Sequence, residues 1–233
     1  MVDEPQKPQK LQKLQKQYDV LLKARDYVKS ELSGDHSGHD WWHIDRVTNL
    51  AKEIARAEQA DAYVCELAAL LHDIADEKLN ESHESGMRKV RDWLDGHRVE
   101  QATAAHVLEI IATMSYSGGH NPPMRTLEGR VVQDADRLDA LGAVGIARTF
   151  AYAGWKGQLI HDPARRPREQ LTKQEYRQQQ TTAINHFYEK LLKLEGLMNT
   201  DTAKRLARDR HQFMETFLEQ FYREWGGGHD ECR

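Results

Sequence analysis

Three observations predict an all-α fold for this 233-residue chain. Apolar residues recur at helical spacing almost throughout, and no convincing alternating run offers a strand. Connections such as SGDHSGHD, SGGHNPP and GLMNTD carry the Gly, Pro, Asn and Ser that stop helices. The composition, 39% hydrophobic and 30% charged with 15 Gly and 6 Pro, suits a helical globular protein better than a β or disordered one. The length fits one large domain, so a single unit over 1–233 is expected.

Helices are expected at about 8–32, 43–59, 61–75, 83–96, 98–115, 126–154, 174–196 and 201–225, with ends uncertain by about 2–4 residues. The first begins in the low-complexity QKPQKLQKLQKQ and reads as a solvated helix end. In the second, His43, Val47, Leu50 and Ile54 recur at four, three and four residues, so His43 continues an inward-facing stripe. The third, YVCELAALLHDI, is apolar on nearly all sides and reads as a central buried helix. The fourth carries Trp93, and the fifth His106. The sixth, GRVVQDADRLDALGAVGIA, embeds acids in an apolar run. The last two contain AINHFYEKLLKL and FMETFLEQFYREW; Trp93, Phe150, Phe187, Phe213 and Phe217 stand at helical spacing and are expected in the core. Between the sixth and seventh, the long connection 154–173 carries Lys156, Arg165, Arg166, Arg168 and Lys173. It reads either as a rim that meets an anionic ligand or as a solvated basic loop.

Composition also limits function. A net charge of −4 offers no general affinity for nucleic acid. The polar N-terminus holds no apolar signal core, and no run approaches the ~20 apolar residues of a membrane span. Two cysteines, Cys65 and Cys232, make no disulfide framework. A cytoplasmic protein is therefore expected.

The dipeptide His-Asp occurs four times, and only one copy has the setting of a site. His229-Asp230 follows three glycines near the end, and His161-Asp162 lies in the long loop before Pro163. His39-Asp40 precedes a helix, where Asp40 reads as a cap. His72-Asp73 ends the buried helix, and a buried carboxylate asks for a cation or hydrogen bonds. His43 faces inward as a second candidate ligand. In the sixth helix Asp134 and Asp136 lie on different stripes, and spacing alone does not choose between them.

HDWWHIDRV, LLHDIADEK and QDADRLDALGAVGIAR, in this order, resemble the successive signatures of the HD-domain metal-dependent phosphohydrolases. The match runs over about 38–148, and the continuation resembles the small bacterial single-domain YpgQ/YedJ-like subgroup. The resemblance implies an HD-domain helical bundle, its core about 38–150, with additional C-terminal helices about 174–225 packed on it. It implies His43, His72, Asp73 and Asp136 as metal ligands, choosing Asp136 over Asp134. Some relatives build a two-metal centre with further histidines. Here His83, His97, His106 and His120 lie in that interval, but Met114 stands where a ligand would be placed, so one metal is expected.

Two imidazoles and two carboxylates suit one divalent ion, manganese first, with cobalt, nickel, iron, magnesium or zinc as alternatives. Such a site suits hydrolysis of a phosphate ester or anhydride. The resemblance matches Asp76 and Glu77 to acids that orient or deprotonate water. Arg46, three residues after His43, is expected to grip phosphate, with Lys78, Lys190 and His186 as further substrate contacts. The SYSGGHNPPMR loop, with Tyr116, offers backbone amides and a ring to a nucleotide. The expected substrate is a nucleotide, most specifically a (deoxy)nucleoside triphosphate cleaved to monophosphate and pyrophosphate. A 5′-monophosphate phosphatase, a phosphodiesterase and a non-catalytic nucleotide-binding module stand as alternatives. No nucleic-acid or membrane partner is expected, and a homodimer is allowed.

Overall fold

The computed structural model describes residues 6–33, 40–76, 79–115, 123–168 and 181–226. Among these residues there is no strand, and the α-helices are α1 (Gln6–Glu31), α2 (Trp41–Glu58), α3 (Ala62–Leu71), α4 (His83–Gly96), α5 (Gln101–Thr113), α6 (Leu127–Asp139), α7 (Gly142–Trp155), α8 (Ala183–Glu189) and α9 (Asp201–Gly226). Short 3-10 turns occupy His72–Ala75, Leu191–Lys193 and Glu195–Leu197.

The middle of the molecule is α3, which packs on α1, α2, α5 and α6. Its Cys65, Leu67, Ala68, Ala69, Leu70 and Leu71 have no exposed surface. Burying each leucine contributes roughly 1.5–3 kcal/mol, so apolar surround decides the place of this helix more than propensity does. Asp61 starts it by accepting from Tyr63 N and Val64 N. The same device recurs where Asp40 caps α2, Thr126 caps α6 and Thr182 caps α8, while Ser82 and Ser85 form a capping box on α4. The buried Cys65 thiol is pushed up to about 12 by burial, which leaves it inert.

Three expected helices differ from the structure. The run expected over 126–154 is two helices, α6 and α7, parted at Ala140 and Leu141. Leu141 is extended, and Gly142 takes a φ of 71°, a left-handed conformation that glycine adopts without a Cβ clash. The helix expected over 61–75 stops at Leu71 and tightens into the 3-10 turn His72–Ala75. Of the stretch expected over 174–196, 174–180 lies outside the described residues, only Ala183–Glu189 is α-helical, and two 3-10 turns follow.

In the basic connection, residues 156–168 are tied to α8, while Lys156, Arg165 and Arg166 stay exposed. Ala183 N and Ile184 N donate to Leu159 O and Ile160 O. Arg168 reaches the buried Glu189 with its backbone N and with Nε and Nη2, at 3.1, 2.9 and 2.8 Å. Burial would raise the Glu189 pKa, but the Arg168 bonds more than offset this and hold it below the usual glutamate range. His161 lies edge-on to Phe221, Tyr222 and Trp225 of α9. Residues 169–173 lie outside the described residues. The aromatic core forms from Phe150, Phe187 and Phe217 as expected. Phe213 does not join it; it is 52% exposed, on the outer face of α9.

Candidate metal centre

His43 sits in the first turn of α2, where the Asp40 cap receives its backbone N–H at 2.9 Å. His72 and Asp73 open the 3-10 turn directly after α3. The tighter turn carries both side chains away from the α3 helical register and toward α2. Asp136 lies in the last turn of α6, which packs on α2 and α3.

Each imidazole is held from behind. His43 Nδ1 is 2.7 Å from Asp139 Oδ2, and His72 Nδ1 is 2.8 Å from the carbonyl oxygen of Ala69. A carbonyl oxygen only accepts, so His72 carries its proton on Nδ1 and turns the Nε2 lone pair inward. His43 is in the same position when Asp139 is ionised. The inward nitrogens then meet acids. His43 Nε2 is 3.5 Å from Asp73 Oδ2 and 3.5 Å from Asp136 Oδ1. His72 Nε2 is 3.2 Å from Asp73 Oδ1 and 3.8 Å from Asp136 Oδ1. The His72 Nε2 atom is buried and makes no hydrogen bond among the described residues.

Two lone pairs and two carboxylates facing one another at these distances repel unless a cation stands among them. Ligand atoms of His43, His72 and Asp73 all lie within 4.8 Å of one another, close to the ~4.0–4.4 Å limit for donors each about 2.0–2.2 Å from one metal ion. These three donors therefore fit a divalent ion, with Asp136 Oδ1 beside both imidazoles. His43, His72 and Asp73 are buried, whereas the Asp136 side chain is 35% exposed and forms the open side. Burial pulls the pKa of both histidines down; at His43 it prevails, whereas at His72 the charges of Asp73 and Asp136 outweigh it and the net shift is upward.

The choice between Asp134 and Asp136 has a geometric answer. Asp134 is wholly buried and turned to the start of α9. Its Oδ1 accepts from Asn199 N and Nδ2 at 2.9 and 2.8 Å, and its Oδ2 from Thr200 N and Oγ1, both at 2.8 Å. Asp136 is the acid beside the imidazoles.

The remaining expected site residues scatter. Asp76 caps the 3-10 turn, its backbone N donating to Asp73 O, and its charge reaches His72. Glu77, Lys78, Tyr116 and His120 lie outside the described residues. Arg46 lies beside the centre but its guanidinium turns to Asp139, Nε to Oδ1 at 2.7 Å and Nη2 to Oδ2 at 3.1 Å. His186 stands on α8, which packs against α7, and Lys190 follows the last residue of that helix. Burial, and then Lys190, lower the His186 pKa to about 3, so that ring is neutral at pH 7. His97 stacks on Trp93, and His106 Nε2 bonds Thr126 Oγ1 at 2.9 Å; neither joins the metal group.

The residue missed in the sequence is Asp139. Its carboxylate is buried and receives His43, Arg46 and Arg148, the last through Nη1 at 2.9 Å. Burial works to raise its pKa, but these bonds hold it well below the usual carboxylate range. A signal existed: Asp136 and Asp139 are three apart on α6, and His43 and Arg46 three apart on α2, so the two pairs can face each other across the helix contact.

This arrangement agrees with the comparisons to known proteins. The HD domain model matches residues 41–141. YpgQ of Bacillus subtilis is 40% identical over 214 residues, 91% of this chain and 97% of that one. Its crystal structure in complex with ADP superposes with a TM-score of 0.73 at 38% identity, over 90% of this chain and 96% of that one. A Lactobacillus plantarum protein reaches a TM-score of 0.82 at 44% identity, over 90% of this chain and 98% of that one. A Bacillus thuringiensis protein described as an HD-superfamily hydrolase has a TM-score of 0.72 at 49% identity, over 91% and 100%. With the ordered motifs, the helical core and relatives aligned over nearly their whole length, the chain belongs to the HD domain family.

Proposed function

We propose that this chain is a metal-dependent phosphohydrolase whose substrate is a nucleotide, and that it cleaves nucleoside triphosphates at the α-phosphorus to give monophosphate and pyrophosphate. The observation that carries the reading is the convergence of two inward imidazole nitrogens on two carboxylates at 3.2–3.8 Å, one of them open to solvent. The ADP complex of the relative YpgQ supports a nucleotide as ligand.

His43, His72, Asp73 and Asp136 would hold the cation. When bound, it polarises phosphoryl oxygens and acidifies water. Asp76, at the end of the turn that carries His72 and Asp73, and Glu77 after it orient the attacking water and take its proton. The water oxygen forms the new bond to the α-phosphorus, and the bond to the bridging oxygen breaks. Pyrophosphate leaves with that electron pair. Lys78 and Lys190 supply positive charge to the phosphates, while His186, being neutral, contributes hydrogen bonding only.

The test is a product assay on metal-stripped protein. Mn²⁺, Co²⁺, Ni²⁺, Mg²⁺ or Zn²⁺ is added back singly with a panel of nucleotides, with phosphate and pyrophosphate quantified separately and Asp73→Ala as control. Metal-dependent pyrophosphate plus monophosphate is expected. Free phosphate from monophosphates would make the enzyme a nucleotidase instead. Cation binding without product from any nucleotide would leave a binding module.

A further inference from the structure

We infer that Asp139, clamped by Arg46 and Arg148, is the positioning residue that fixes which nitrogen His43 presents to the cation, and that Arg46 serves this device rather than gripping substrate. The inference rests on the metal site proposed above.

A neutral imidazole carries one proton and one lone pair, and only the nitrogen with the lone pair can ligate. At His72 the selection is made by a backbone oxygen, Ala69 O, which no substitution removes. At His43 it is made by a side chain. Asp139 Oδ2 accepts from Nδ1 at 2.7 Å, which turns Nε2 toward Asp73 and Asp136. Asp139 serves this purpose only while ionised, and its side chain is 2% exposed, so counter-charge must come from the protein. Arg46 from α2 and Arg148 from α7 supply it at 2.7 and 2.9 Å. Arg46 spends Nε and one Nη on this carboxylate. The cleft it lines, about 380 Å³ with Asn49, Gly142, Val144 and Arg210 among its walls, includes none of the four ligands.

Asp139→Asn separates positioning from mere bracing. Oδ2 meets His43 and an Nη of each arginine, whereas Oδ1 meets only Arg46 Nε, so the amide oxygen keeps the Oδ2 place and the NH₂ faces Arg46 Nε. The acceptor at Nδ1 is then neutral, its hold on the Nδ1 proton weakens, and the Nε2-protonated tautomer, which cannot ligate through Nε2, gains population. Loss of such an outer partner weakens metal binding by roughly 10–100-fold. An acid that only braced the helices would lower Tm and leave both tautomer and affinity alone.

The experiment uses the full chain, metal-stripped. Mn²⁺ binding is measured by calorimetry, and the histidine tautomers of the metal-free protein by ¹⁵N NMR. For Asp139→Asn, binding about 10–100-fold weaker and a gain in the Nε2-protonated tautomer of His43 are expected. Asp134→Asn, the loss of another buried acid of α6, should lower Tm with parental Mn²⁺ affinity. Should Asp139→Asn fail to fold, Arg46→Lys decides: weaker Mn²⁺ binding with unchanged KM supports positioning, whereas raised KM with unchanged Mn²⁺ affinity overturns it. Parental affinity with the proton still on Nδ1 in Asp139→Asn would also overturn it. Asp73→Ala distinguishes the two levels. Lost binding there with parental binding in Asp139→Asn sinks only this inference, whereas parental binding in Asp73→Ala sinks the metal site itself.

Discussion

Replacing Gly86 by alanine adds one methyl group to α4, at the place where it presses on the turn that carries His72 and Asp73. A Cβ built there would stand 2.7 Å from Ala75 O, 2.8 Å from Ala75 Cα and 2.8 Å from Asn80 Nδ2. Ordinary contact begins near 3.4 Å, so each of these is short by about 0.6–0.7 Å. Two of the three obstructing atoms are backbone, and Asn80 Nδ2 is engaged with Ile74 O and Asp76 O, so no flexible side chain gives way. Overpacking of this size costs roughly 1–3 kcal/mol, against which alanine returns at most about 1 kcal/mol of helix propensity. A net loss of up to about 2 kcal/mol corresponds to a fall in Tm of up to about 4–8 °C for a chain of this length. Relief by moving the turn shifts the ligands by more than the ~0.2 Å that metal–ligand bonds tolerate. Thermal unfolding of the metal-free protein and Mn²⁺ calorimetry measure the two effects. Gly86→Ala is expected to lower both Tm and Mn²⁺ affinity, the latter at least several-fold. A variant with raised Tm and parental affinity would refute the close packing of α4 on this turn.

Gly145→Ala should be worse, because its Cβ would stand 2.2 Å from Ala140 O and 2.4 Å from Ala140 C, both backbone at the α6–α7 break. A loss of about 3 kcal/mol or more is expected in chemical denaturation, with Val144→Ala, at a 41% exposed neighbour, nearly neutral; a stabilised Gly145→Ala would contradict the break. His186 titrates in the opposite sense to a salt-bridged histidine. Its folded pKa, lowered to about 3 by burial and by Lys190, lies below the ordinary 6.5, so the unfolded chain binds a proton that the folded chain refuses. Its contribution is present above pH 6.5 and is lost as pH falls toward 3, by up to about 1.4 kcal/mol per pH unit. His186→Gln should flatten the slope of stability against pH between 6 and 4; an unchanged slope would show that His186 is not the source.

Much of the site was legible because burial leaves a strong mark in sequence. The apolar surround of His72-Asp73 separated that copy from three others, and the stripe through His43 oriented α2. Other features depended on contacts between distant segments. The break after Asp139 was unreadable because Leu141, Ala143 and Val144 continue a helical pattern, and Gly142 reads as a tolerated helix glycine until its φ is seen. The bond of Arg46 to Asp139 was not legible because the two lie 93 residues apart in sequence. The long basic loop read as either rim or solvent. Its described part owes its order to backbone bonds with α8 and to one buried glutamate, which composition does not reveal.

The three aspartates of α6 take three duties because of helix geometry. At 100° per residue, Asp136 and Asp139 lie about 60° apart, while Asp134 lies about 160° from Asp136. One side of the helix therefore faces α2 and the turn His72–Ala75, where Asp136 meets the imidazoles and Asp139 the back of His43. The other side faces α9, where Asp134 gathers the backbone and side chains of Asn199 and Thr200. Since these two sets of partners share no residue, removal of Asp134 loosens the docking of α9 without touching a ligand, and effects at the two sides should add. Asp136 and Asp139 both act on His43, so a double substitution there should fall short of additivity: once the cation is lost, the tautomer of His43 has no further consequence for binding.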